Sequence, residues 1–205
     1  MKRKLILIIL VFLFNILWVN AISVTNSFVK NNDIVIQVNP NPSNSNNIMD
    51  DLDVMLETDL NYNGEDSVVI GKKIDLYLKQ ELEGYGELIS KYSIVNEVNP
   101  YLIASMIIEE SECDLECTPL VKLCNNVAKI SYNKDSLQEA SCFGGNYQLF
   151  DSIDDSIKTY IKYIKTNFYD QELKTPNDMH KAYKKDVRWV FRVNQSMERI
   201  KNSNI

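Results

Sequence analysis

Val98-Asn99-Pro100-Tyr101-Leu102-Ile103-Ala104-Ser105-Met106-Ile107-Ile108-Glu109-Glu110-Ser111-Glu112-Cys113 packs a helix start, an apolar stripe and a carboxylate cluster into one run. Asn99 is a strong N-cap residue, and Pro100 suits the first turn because its missing N–H has no partner to lose there. Leu102, Ile103, Met106 and Ile107 recur at helical spacing and predict a buried stripe. Glu110 lies seven residues after Ile103, four after Met106 and three after Ile107, so it projects from that stripe. Glu109, seven after Leu102 and four after Ser105, flanks the stripe, and Glu112 points elsewhere. A carboxyl on an apolar face near a helix C-terminus resists ionising, which is what a general acid needs near neutral pH. The bland alternative is a solvated charge run on a fraying last turn.

Outward from this helix, the segments on both sides are also helical. Ile74, Leu76, Leu78, Leu82, Leu88, Ile89, Tyr92 and Ile94 predict one or two helices, interrupted around Gly84-Tyr85-Gly86. Ser152 caps a helix that carries Asp154 and Asp155 in its first turn and Ile157, Tyr160, Ile161, Ile164 and Phe168 on its apolar face. Thr175-Pro176 opens a short helix toward Tyr183, and a last helix from about Asp186 carries Trp189, Val190, Val193, Met197 and Ile200. Residues 113–150 hold Gly144-Gly145 and no long helical period, so loops and a short hairpin are expected there. The prediction is a mainly α domain over 70–205 with one small stapled loop or hairpin lobe.

The remaining segments are of other kinds. Lys2, Arg3 and Lys4 precede an apolar run from Leu5 to Val19, and Val19-Asn20-Ala21 has the small residues of a cleavage site. Residues 1–21 read as a signal peptide, with an uncleaved membrane anchor as the alternative; the run is about 15 residues long, short of the roughly 20 that a span needs. Either form puts the rest outside the cytoplasm, secreted into the cell wall or held on the outer face of the membrane. Residues 22–69, rich in Asn, Asp and Ser, read as a flexible tether.

All four cysteines fall between Cys113 and Cys142. Outside a reducing cytosol, a clustered even set reads as disulfides, and proximity favours Cys113–Cys117 with Cys124–Cys142. A zinc site of four thiolates is the competing reading, but the run lacks a CxxC pair.

Composition narrows the chemistry. The chain has 205 residues, one histidine (His180) and a net charge of -6; losing Lys2, Arg3 and Lys4 would take it to -9. The acidity argues against a sequence-independent nucleic-acid binder. One histidine excludes multi-histidine zinc sites. No metal or cofactor is expected, and carboxylate chemistry remains.

The order of motifs resembles the glucosaminidase family of lysozyme-like peptidoglycan hydrolases, glycoside hydrolase family 73. The resemblance is carried by Asn99-Pro100, the apolar helix and Glu109-Glu110-Ser111, then Cys124-Asn125-Asn126-Val127 and Tyr147-Gln148-Leu149-Phe150-Asp151-Ser152. Thr175-Pro176, Lys181-Ala182-Tyr183, Trp189 and Val193 follow in order, so that it spans roughly residues 85–202. It implies a lysozyme-like fold, a monomer, and cleavage of β-1,4 glycosidic bonds in peptidoglycan strands as an endo-β-N-acetylglucosaminidase. Glu110 matches the catalytic acid. Tyr183 matches an aromatic that lines the sugar site or stabilises the reacting sugar, with core packing as the alternative. Tyr147 is placed to stack on a sugar ring or to pack in the lobe, and Asn125 and Asn126 to bind sugar substituents or to cap a turn.

Glycosidases usually pair two carboxyls, at roughly 5–5.5 Å or 6.5–9.5 Å. Glu139 is the preferred second acid, ahead of Asp135 and Glu109. The chain departs from the pattern at Glu109, where the family has His, at Glu112, where it has a small residue, and at Ala128-Lys129, where it has Gly-Gly. These departures keep open a catalytically weakened module that binds wall glycan, and Glu110-Ser111 at a helix end, a feature that the resemblance shares across lysozyme-like folds, keeps open a muramidase or lytic transglycosylase.

Overall fold

The computed structural model describes residues 60–133 and 140–205. The signal or anchor segment 1–21 and the tether over 22–59 lie outside the described residues, as do Asp135 and Glu139.

Regular structure is already present before the expected boundary at 70. A two-residue hairpin pairs β1 (Asn61–Tyr62) with β2 (Glu65–Asp66), antiparallel, through Asn63-Gly64. Both turn residues have positive φ, the conformation that tight hairpin turns demand and that Asn and Gly tolerate best. Asp66 then caps α1 (Ser67–Asp75), its Oδ1 accepting from Val68 N and Val69 N. Residues 60–69 therefore belong to the domain rather than to the tether.

A 3-10 turn at Gln80–Leu82 leads to α2 (Gly86–Val95), which packs on α1. The two helices approach at Gly71 and Gly86. A Cβ on Gly86 would sit 2.2 Å from the Gly71 carbonyl oxygen, and one on Gly71 would sit 2.7 Å from the Glu87 Cα. Asp75 Oδ1 closes the approach by accepting from Gly86 N at 2.7 Å.

α3 (Pro100–Ser111) is the helix expected from the sequence, with Asn99 Oδ1 accepting from Tyr101 N and Leu102 N. It is more central than its stripe indicated. Tyr101, Ala104 and Ser105 are buried along with Leu102, Ile103, Met106 and Ile107, because α1, α2 and α7 (Val187–Lys201) all pack on it. A helix that is apolar nearly all round is a core helix. Glu112 ends it in the left-handed conformation, its N–H donating to Ile108 O.

The lobe that follows holds the short helix α4 (Pro119–Cys124) and a hairpin of β3 (Ala140–Cys142) and β4 (Tyr147–Leu149). Both expected disulfides are present, Cys113–Cys117 and Cys124–Cys142. All four sulfurs are thereby consumed, which removes the thiolates that the zinc alternative required. α5 (Ile153–Asn167), capped by Ser152, packs on α2. A 3-10 turn at Tyr169–Gln171 precedes α6 (Pro176–Tyr183), whose Thr175 and Asp178 form a reciprocal capping box. Asp186 caps α7. The domain is mainly α, with its core between α1, α2, α3, α5 and α7. Among the described residues, no helix is long and apolar enough to cross a membrane.

Candidate active site at the end of α3

Helix phase buries Glu110 as expected. It is 2 % exposed, whereas the side chain of Glu109 is 21 % exposed and that of Glu112 is 60 % exposed. The three carboxylates separate by partner as well. Glu109 accepts from Arg192 Nε of α7 at 2.5 Å, and Glu112 from Lys129 Nζ at 2.9 Å.

The partner of Glu110 is Lys184. Its Nζ donates to Oε1 at 2.9 Å and to Oε2 at 3.2 Å. Lys184 follows α6, in extended backbone, in the linker to α7. Its side chain is 25 % exposed, so the ammonium sits between a buried carboxylate and water. Nothing in the local spacing around Glu110 points to a residue this distant in the chain; the signal was its position directly after Tyr183.

Two phenols complete the surroundings. Tyr160 of α5 and Tyr183 of α6 share a hydrogen bond of 2.7 Å. Burial above all, and then the negative charge of Glu110, push the Tyr160 phenol well above its ordinary range. Burial also leads for Tyr183, followed by the neighbouring Tyr160 and then Glu110. Both phenols therefore hold their protons, and neither acts as a base near neutral pH. Tyr183 stacks on Trp189 at 5.1 Å between ring centroids and meets Phe168 edge-on at 5.7 Å. At 9 % exposure it braces the floor behind Glu110 instead of presenting a ring face to a sugar. The packing alternative describes its ring, and its hydroxyl is engaged with that of Tyr160. The sequence pattern places Tyr160 only on the apolar face of its helix.

The lobe residues expected to bind sugar have other tasks. Asn126 is buried, and its amide hydrogens go to Ile130 O at 2.8 Å and Gln148 O at 3.0 Å, while its Oδ1 accepts from Ile130 N at 2.8 Å. It has no donor left for a substituent. Asn125 takes the left-handed position that ends α4, and its Nδ2 donates to Phe150 O at 2.9 Å and Asp151 O at 3.3 Å. Both therefore hold the turn, because the chain there must reverse and its buried carbonyls need donors. Tyr147 pairs with Cys142 across the hairpin and bridges Ser131, half-buried in the lobe. The preferred second acid, Glu139, lies outside the described residues, so no carboxylate separation is assigned.

A concavity of about 300 Å³ opens at the other end of α3, away from Glu110, and is lined by Tyr62, Asn63, Glu65, Asn99, Tyr101 and Met197, among others. Tyr101 Oη donates to Glu65, and Lys73 Nζ lies 2.7 Å from the same carboxylate. Tyr101 and Glu110 are separated by about 14 Å of helix axis. Desolvation works to raise Glu65, yet hydrogen bonds from Lys73 and Tyr101 hold its carboxyl below the usual range. It is an ionised acceptor and not a proton donor.

Comparison with known proteins adds no family: no family model matches the chain, and no curated protein matches it.

Proposed function

We propose that this chain is a secreted or membrane-tethered peptidoglycan hydrolase of lysozyme-like fold, an endo-β-N-acetylglucosaminidase with Glu110 as general acid. The observation that carries the reading is the buried carboxyl at the end of a capped core helix, backed by two neutral phenols. That carboxyl has the buried apolar side chains of α3 beside it and the partly exposed Lys184 ammonium on its open side. The order of motifs from Asn99-Pro100 to Trp189 supports the same family reading. Two disulfides in one lobe are the usual mark of an oxidising compartment and fit a site outside the cytoplasm. Glu139 is the proposed second carboxylate. It lies three residues before Cys142, which the disulfide to Cys124 anchors.

Glu110 protonates the glycosidic oxygen, the bond to the anomeric carbon breaks, and water completes the hydrolysis. Tyr160 and Tyr183 keep the floor rigid and neutral. The bidentate ion pair with Lys184 favours a second reading, a glycan-binding module in which the pair is purely structural. The substitution Glu110→Gln separates the two. Removing a general acid costs about 10²–10⁴-fold in rate. Wild-type protein should release soluble fragments from purified walls, and the variant should bind walls but release almost none. Mass spectrometry of the fragments names the bond and decides against or for a muramidase or transglycosylase. Wild type that binds walls and releases nothing leaves the binding module as the function.

A further inference from the structure

We propose that Lys184 is a substrate-opened latch on Glu110, and that a carboxylate carried by the glycan strand opens it. This rests on the reading of Glu110 as the acid, and it narrows the substrate to acidic strands over neutral ones of the same backbone.

Three observations carry it. Lys184 Nζ contacts both oxygens of a carboxylate that is 2 % exposed, and among the described residues these are the hydrogen bonds that reach the Glu110 carboxylate. An ammonium held across both oxygens stands where a glycosidic oxygen would have to approach, so it must leave before the reaction. Lys184 is able to leave: it sits in the short non-helical linker between α6 and α7, on a flexible four-carbon stem, and is itself partly exposed. The third observation is the surrounding charge. Lys181, Lys185 and Arg188 are exposed close to Lys184 in the chain, Asp186 is the one acid between 181 and 192, and Arg192 beyond them is held by Glu109. Arg188 and Arg192 both contact that acid or lie near it, at 3.2 Å and 4.0 Å. In a chain of net charge -6 this is a local excess of positive charge beside the site.

Moving an ammonium off a buried carboxylate leaves two groups without partners, which is costly unless both are satisfied again. A substrate carboxylate satisfies Lys184 directly, in an ion pair nearer to water. Glu110, freed of the ammonium, is protonated by a solvent hydronium ion, which is left as water, and is then the acid that the reaction uses. A neutral strand offers only hydroxyl and amide groups to the ammonium, weaker partners than an anion. The exposed basic residues draw the acidic strand in and orient it. One ion pair replaces another, and one O–H bond forms on Glu110 as one in hydronium breaks.

The test uses the full exported protein and two matched substrates: wall glycan strands carrying stem peptides, and the same strands with their carboxylates converted to methylamides. Fragment release is followed by mass spectrometry at several concentrations, to separate kcat from KM. Wild type should prefer the acidic strands by about tenfold in kcat/KM, an ordinary value for a charge-assisted contact. In Lys184→Gln the preference should fall toward one, and Lys184→Arg should keep it. A ratio near one in wild type overturns the latch while leaving the hydrolase reading standing. A full preference retained in Lys184→Gln also overturns it. If the Gln variant does not fold, the wild-type ratio and the Arg variant decide. No fragments from either substrate with wild type removes the hydrolase reading and the latch with it.

Discussion

The two disulfides close loops of very different length, and this sets an order of stability that can be measured. Cys113 and Cys117 are separated by 4 residues, Cys124 and Cys142 by 18. In the chain-entropy account the cost of closing a loop in the unfolded state grows with the logarithm of its length, giving about 2 kcal/mol for the first bond and about 3 kcal/mol for the second. Sulfur packing would blur a comparison of cysteine substitutions, since Cys113, Cys117 and Cys124 are all buried. The cleaner design makes two proteins, Cys113→Ala with Cys117→Ala and Cys124→Ala with Cys142→Ala, and unfolds each in urea both oxidised and reduced. Within one protein the atoms are the same and only the remaining cross-link changes. With a slope near 2 kcal/mol per molar urea, reduction should lower the midpoint by about 1.5 M where Cys124–Cys142 remains and by about 1 M where Cys113–Cys117 remains. Equal shifts, or a larger shift from the short loop, would refute loop entropy as the source of the stabilisation. The long-loop bond also holds the hairpin lobe to α4, so on the proposed function its reduction should lower wall cleavage more than that of the short-loop bond.

Other consequences are local. Gly86→Ala forces a methyl group against the Gly71 carbonyl and the Asp75 carboxylate, and should cost about 1–3 kcal/mol and several degrees of Tm by calorimetry. Asn126→Ala removes three hydrogen bonds and leaves buried backbone groups of the lobe unpaired, a loss of about 3 kcal/mol in urea unfolding. Glu65 is held below its unfolded value, so its contribution to stability is present above the unfolded pKa and is lost as pH falls through the folded one. Glu65→Gln should therefore be less stable than wild type at neutral pH and equal to it at strongly acid pH, as read from urea midpoints in both buffers.

Much of the architecture was legible because it was written in local rules. Asn99-Pro100, Ser152, Thr175-Pro176 and Asp186 each announced a helix start, and each now caps one. The burial of Glu110 followed from its phase with Ile103, Met106 and Ile107. The cysteine pairing followed from proximity once export was read from the N-terminal segment. What local rules cannot carry is who meets whom across the fold. Lys184 lies 74 residues from Glu110, and Tyr160 lies 23 from Tyr183; both meetings depend on where α5, α6 and α7 dock. The hairpin at 61–66 was hidden because two-residue strands in a polar context leave no alternation to detect, although Asn63-Gly64 was its one available sign. Asn125 and Asn126 show a different limit. An amide suits a sugar and a turn equally well, and only the positions of the Ile130, Gln148 and Phe150 carbonyls distinguish the two tasks.

The stacking of Trp189 on Tyr183 gives the protein an optical gauge of its own site. The sequence holds two tryptophans, Trp18 and Trp189, so an exported chain that begins after residue 21 carries a single indole. That indole is 0 % exposed, its ring lies against Tyr183, and Tyr183 directly precedes Lys184. Its emission starts from an apolar setting and responds to changes in the packing at the end of α6. On the proposed function, titrating acidic glycan fragments into the protein while recording that emission would follow the site in real time, with no label attached.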